Sequence, residues 1–475
     1  MLNRITKNYL YNVLYQVFIL LMPIIVTPYL SRVLGPDNLG VYSYVFSVTN
    51  VISILTLIGI YNYGNRQIAY ERNDKQKMSQ TFWEIMLLRL LLAVVGSVVY
   101  FAVAFYLKKF TLYFLQYYCF LLAAYIDCTW LYVGVEDMRP PVLKNFFAKL
   151  VGVICIFIFV KQRADIGNYL LILSISILIA NLVAYVELGK YIEPVKINMH
   201  NLGRHIKDSI WLFLPTIASL IYLQVDKIMI EWLTRQTAQV AFYDNAEKII
   251  MIPLTFITVL STVIMPRIAN EHKQGNKDKI NDLIVRSAKT ALFLSFPMAF
   301  GIAAVAAGFI PWYLGKDFLP VIGALYCLCP IVVSNSLEGI SGKQYFTATN
   351  QISILTIAYT STALLNIILN FILIPKFNFY GAAIATLLCS YLSVGIQLIV
   401  MRRQINLKPL LIPFLKYGLM GIGMFMVVFV CTQHLEVSIL KTIIQVCVGC
   451  IGYAGVALCI KDEVLGKMLR EKSVV

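Results

Sequence analysis

The chain has 475 residues, 59% of them hydrophobic and 13% charged, with a mean hydropathy of +0.76 and a formal net charge of +16 at pH 7. A soluble globular chain is about 45–50% apolar and about 25% charged, so there are too few polar residues here to coat soluble cores. Composition excludes a soluble protein and predicts an all-α integral membrane protein.

A hydrocarbon core of about 30 Å takes about 20 helical residues to cross. Runs of that kind fall at 10–34, 40–62, 82–107, 111–134, 143–160, 167–188, 209–233, 240–265, 287–310, 321–342, 352–374, 380–401, 411–431 and 437–460. The pattern predicts about fourteen transmembrane helices. The first run lacks the short apolar centre and small-residue cleavage site of a signal peptide and reads as a retained span. If the N-terminus is cytoplasmic, 28 Lys and Arg fall in inner segments or at inner span ends and nine in outer ones. This asymmetry predicts that both termini are cytoplasmic. It also accounts for most of the positive charge, so nucleic acid is not indicated as a partner. The ten cysteines lie mostly within apolar runs with no metal-ligand spacing, and no metal or other cofactor is indicated.

The longest inner segments, 189–208 and 266–286, follow the sixth and eighth spans. Six spans is an even number, so a second copy enters the membrane in the same orientation as the first. Signs of such a copy exist. "LGVYSYVFSVTNVI" lines up with "VAFYDNAEKIIMI", Arg66 with Arg267, and Asp127 with Glu338, at offsets near 200–210. They favour a parallel duplication with a pair of spans appended. The predicted organisation is a six-helix lobe at 1–190, a cytoplasmic linker at 191–208, a second six-helix lobe at 209–403, and two further helices with a tail at 404–475.

In "PYLSRVLGPDNLGVYSY" (Pro28–Tyr44), "DCTWLYVGVED" (Asp127–Asp137) and the stretch Asp226–Ala269, the chain resembles bacterial Wzx-type flippases. These move polysaccharide repeat units and share a superfamily with the MATE drug exporters and the lipid II flippases. The resemblance implies a MATE-like fold of two pseudo-symmetric six-helix lobes rocking about a central cavity, with the last two helices forming a lipid-tail groove.

A charge at the bilayer centre costs about 2.5–3.5 kcal/mol on insertion scales, so such residues face a cavity or a partner. Arg89, Lys227 and Lys248 are the most deeply placed cations. Gln224, Lys227 and Glu231 share a helical stripe, and Asp244, Glu247, Lys248 and Met251 share another. These groups either line a wet cavity or form the i,i+4 pairs Lys227–Glu231 and Asp244–Lys248. Arg89 has no carboxylate at i±3 or i±4; it is expected to contact a substrate head group, or else to pair with Asp127 across helices. Arg32, at the outer end of the first span, either joins the site or reaches for the interface. Asn50, near Ser43 and Ser47, and Asn366 and Asn370, near Tyr359, are candidate sugar ligands or interhelical hydrogen-bonding groups.

Three functions compete. A flippase for a polyprenyl-diphosphate-linked oligosaccharide needs cations for the diphosphate, and polymerase and glycosyltransferases of the same pathway are then expected partners. A cation-coupled drug antiporter needs intramembrane carboxylates, and Asp127, Asp226, Asp244, Glu247 and Glu338 are its ion-coupling candidates. The first span, however, has no acidic residue. In a lipid II flippase an Arg-Asp pair is expected there, whereas Val33 follows Arg32. An enzyme is disfavoured by the lack of a DxD motif, a Gly-rich phosphate loop and a large external loop.

Overall fold

The computed structural model describes residues 4–220 and 224–466, so Ile221–Leu223, in the middle of the seventh run, lie outside the described residues. The described residues are helical almost throughout and pack into two compact units. One comprises Met1–Glu231 with Gln236–Ala241, the other Trp232–Arg235 with Phe242–Val475.

In the first unit, α1 (Arg4–Leu57) joins the first two predicted spans into one element kinked at Gly35, which sits at φ 75° and ψ 175°. Glycine takes that backbone without a Cβ clash, and Pro36 next to it cannot donate to a continuing helix. There follow α2 (Ile60–Glu71), α3 (Lys75–Tyr106), α4 (Thr111–Ile126), α5 (Thr129–Gly134), α6 (Arg139–Phe159), α7 (Ile166–Val183) and α8 (Asn201–Leu220). The Asp74 side chain accepts from the Lys77 amide and caps α3. Along α3, Val94, Val95 and Val98 are 55–65% exposed while Phe82, Ile85 and Leu88 are buried. A helix that is apolar on its exposed face as well as its packed face belongs in lipid. Its N-terminal half joins a core of Ile60, Tyr63, Trp130, Leu131 and Tyr132, in which the Phe82 and Trp130 rings stack at 5.3 Å.

The chain then passes through α9 (Asp226–Thr234) and α10 (Thr237–Lys273), turns at Gly275, and returns in α11 (Lys277–Tyr313). At 37 residues each, α10 and α11 run about 55 Å at 1.5 Å per residue, well beyond one hydrocarbon core. The charged stretch around the turn therefore projects out of the membrane. The second unit continues with α12 (Pro320–Leu328), α13 (Ile331–Glu338), a π-helical segment (Gly339–Phe346), α14 (Ile352–Phe377), α15 (Phe379–Met401), α16 (Leu411–Thr432) and α17 (Ile439–Cys459).

Ten helical stretches among the described residues are long and apolar enough to cross a membrane, where hydropathy alone counts fourteen. The first two runs merge into α1, the fourth is cut at Asp127 into pieces too short to qualify, and the seventh and eighth runs include positions outside those counted.

Candidate functional site

The cut in the fourth run organises the polar interior of the first unit. Asp127 adopts φ −62° and ψ 123°, which ends α4. A helix end leaves its last four carbonyls without intrahelical donors, and inside a membrane no water is present to take their place. All four are met here by side chains. Asn181 Nδ2 donates to the Ala123 carbonyl at 2.7 Å, Arg89 Nη2 to that of Ala124, Arg89 Nε to that of Tyr125 at 2.9 Å, and the Tyr185 hydroxyl to that of Ile126 at 2.6 Å.

A second ring of contacts holds the carboxylate of Asp127. Its Oδ1 accepts from the Thr129 amide at 3.1 Å and from the Thr129 hydroxyl, which starts α5, and lies 3.5 Å from the Lys144 ammonium. Lys144, on α6, also donates to Asn181 Oδ1 at 3.0 Å. The Lys144 side chain is 2% exposed and that of Asp127 19%. Burying the pair costs desolvation energy, which the mutual attraction and the added hydrogen bonds offset.

Arg89 lies at the middle of α3, as its depth in the sequence suggests, but it is only 1% exposed. Its Nη1 has no hydrogen-bond partner among the described residues. Asp127, the partner considered for it from sequence, is held by Lys144. Arg32 is exposed and donates to the Pro28 carbonyl at 2.8 Å. Asn50 is half-buried near the end of α1, on the same helix as the buried Ser43 and Ser47.

On α9, Asp226, Lys227 and Glu231 are all buried, and the Glu231 carboxylate lies 3.8 Å from the Lys109 ammonium. On α10, Asp244 is buried and its Oδ2 meets the Lys248 ammonium at 2.6 Å, with the Lys248 side chain 54% exposed. Glu247 between them is half-buried. The i,i+4 pairing expected of Asp244 and Lys248 is therefore present, and it leaves the lysine accessible. On α14, Asn366 and Asn370 are fully buried, and Asn370 Nδ2 donates a hydrogen bond to Asn366 Oδ1 at 3.1 Å, while Asn366 Nδ2 has no partner among the described residues. Glu338 closes α13 and accepts from the Tyr359 hydroxyl of α14.

Asp127 and Glu338, set against each other in the sequence as signs of a repeat, thus each stand at an interruption. The first is a helix break and the second the entry to the π-helical segment. Interrupted helices at corresponding positions of two halves mark the binding regions of secondary transporters. Lys144, Asn181 and Tyr185 were not singled out from the sequence. Lys144 falls at a span end, where it counts as a loop cation, and nothing local to Asn181 or Tyr185 signals an acceptor on α4.

Apolar spans carrying buried ionic interruptions define a multi-pass membrane transporter. The chain belongs to the polysaccharide biosynthesis protein family, whose model matches residues 5–272. A model of the lipid II flippase MurJ matches residues 141–441. A protein of Escherichia coli (strain K12) named as an O-antigen transporter is 23% identical over 405 residues, covering 84% of this chain and 97% of the relative. Among solved structures, the lipid II flippase MurJ in an inward closed conformation matches with a TM-score of 0.72 at 15% identity, over 98% of this chain and 100% of the other. A multidrug resistance MATE family transporter in an inward-facing conformation matches with a TM-score of 0.67 at 14% identity, over 81% and 93%. These likenesses establish the fold; the relatives are named as transporters and flippases rather than enzymes.

Proposed function

We propose that the protein is a flippase that moves polyprenyl-diphosphate-linked oligosaccharide repeat units across the bacterial cytoplasmic membrane, for capsule, exopolysaccharide or O-antigen synthesis. The observation that carries this reading is the family match together with a relative named as an O-antigen transporter whose length is covered almost entirely. Transport proceeds by alternating access through a cationic cavity, with lobes at 1–190 and 209–403, a linker at 191–208, two added helices at 404–475, and both termini in the cytoplasm. Lys248 and Arg32 are the accessible cations for the diphosphate, and Lys227 a buried one. Asn50, Asn366 and Asn370 offer amides to sugar hydroxyls. Asp127, Asp226, Asp244, Glu247 and Glu338 are the carboxylates available for ion coupling. The pathway's polymerase and glycosyltransferases are the natural partners.

Deleting the gene tests this reading: lipid-linked repeat units should accumulate on the inner leaflet and surface polysaccharide should be lost. The MurJ match over 141–441 favours a second reading, lipid II as substrate. Rescue of cells depleted of their lipid II flippase, with no change in repeat-unit export, would select it.

A further inference from the structure

We infer that Arg89 is a positioning residue: it holds the fourth span broken at Asp127 and so fixes the Asp127–Lys144 ion pair in the interior of the first unit. Three observations support this. The Arg89 guanidinium is buried and donates from Nε and Nη2 to two successive carbonyls, those of Tyr125 and Ala124. A planar fork reaches two adjacent acceptors at once, which a lysine ammonium on a single point does not. The guanidinium also sits at the negative end of the α4 dipole, where a cation is favoured.

The neighbouring carbonyls are covered by Asn181 and Tyr185, and Asn181 is in turn bonded to Lys144. The chain of contacts therefore runs from Arg89 through the end of α4 to the carboxylate itself. Removing the guanidinium exposes two carbonyls to a medium with no donors, and α4 then either extends through Asp127 or unravels before it. In both cases Asp127 leaves Lys144. The transport arm of the test rests on the flippase reading, whereas the structural arm does not.

Cys128 follows Asp127 and is fully buried, so its thiol reports on the break. Full-length protein in liposomes is treated with N-ethylmaleimide and labelling is read peptide by peptide, with the buried Cys389 of the second unit as an internal standard. Arg89→Gln and Arg89→Lys should both raise the Cys128 labelling rate about tenfold or more, as expected for a locally opened segment, with Cys389 unchanged and transport lost. Tyr185→Phe, which keeps every charge, should raise it less but in the same direction. If Arg89→Lys transports normally, or if it loses transport while Cys128 stays protected, the inference is overturned, and the second result makes Arg89 a ligand contact. Should the Arg89 variants fail to accumulate, Tyr185→Phe and Asn181→Ala decide on the same readout: unchanged protection in both overturns the inference.

Discussion

The Glu84 carboxylate and the His205 imidazole, 121 residues apart in sequence, meet at 2.9 Å in the interior of the first unit. Glu84 also accepts from Gln80 Nε2, the Asn198 amide and Asn201 Nδ2, and the second His205 nitrogen meets the Tyr63 hydroxyl at 2.7 Å. Residues 191–208, read from sequence as the link between halves, are thereby tied to α3. Glu84→Ala leaves the buried His205 without its carboxylate and removes the acceptor of three half-buried or exposed donors, and about 1–3 kcal/mol of stability should be lost. Thermal unfolding in detergent should show a clear fall in Tm; an unchanged Tm would mean the segment is held by something else.

Close approach makes a second prediction. A methyl built on Gly40 would come within 1.8 Å of the Thr237 carbonyl oxygen, backbone to which the neighbour cannot yield. Gly40→Ala should push the first turn of α10 off α1, at a cost of about 1–3 kcal/mol, and reduce export. Full export and stability in Gly40→Ala would show that the contact is dispensable.

Stability should depend on pH through Asp462, which lies just past α17. Burial raises its pKa, but the Lys416 ammonium, the Leu465 amide and the Tyr417 hydroxyl outweigh that and hold it below the usual carboxylate value. A carboxylate whose pKa is lower folded than unfolded stabilises above its unfolded value, and that contribution disappears as pH falls through the folded value. The loss should therefore begin below about pH 4. Lys416→Met should lower Tm at pH 7 and move the acid limb to higher pH. An acid limb that stays in place contradicts the assignment.

A fourth prediction concerns the bridge on α10. If Asp244 and Lys248 are only a structural pair, the double variant Asp244→Lys, Lys248→Asp should restore most transport. The flippase reading predicts that it folds but stays inactive, because the cation has moved one turn away, from the exposed position 248 to the buried position 244. Western blotting and export assays on the same cells separate these outcomes.

Much of this architecture was legible in the sequence because long apolar runs leave a helix as the one way to satisfy the backbone in lipid. The kink at Gly35-Pro36 was visible as a gap between runs. The break at Asp127 was not, because "YIDCTW" carries no Gly or Pro, and the donors that stabilise it come from α3, α7 and the turn after α7. For the same reason Arg89 was recognised as unusual while its acceptors were not: no pattern along one helix shows which carbonyls a neighbouring helix leaves open. The Asp244–Lys248 pair needed only i,i+4 spacing and was foreseeable. Glu84 went unnoticed because it lies one turn inside a span whose end looks like a loop.

The most direct test of the central claim is reconstitution in liposomes with a fluorescent polyprenyl-diphosphate oligosaccharide, a K⁺-diffusion potential, and no Na⁺ or pH gradient. Two negative charges crossing 100 mV carry about 4–5 kcal/mol at about 2.3 kcal/mol per charge, enough to drive outward movement without a coupled ion. The account predicts protein-dependent flipping that follows the imposed potential. Flipping of lipid II but not of the oligosaccharide lipid, or no protein-dependent flipping of either, would contradict it.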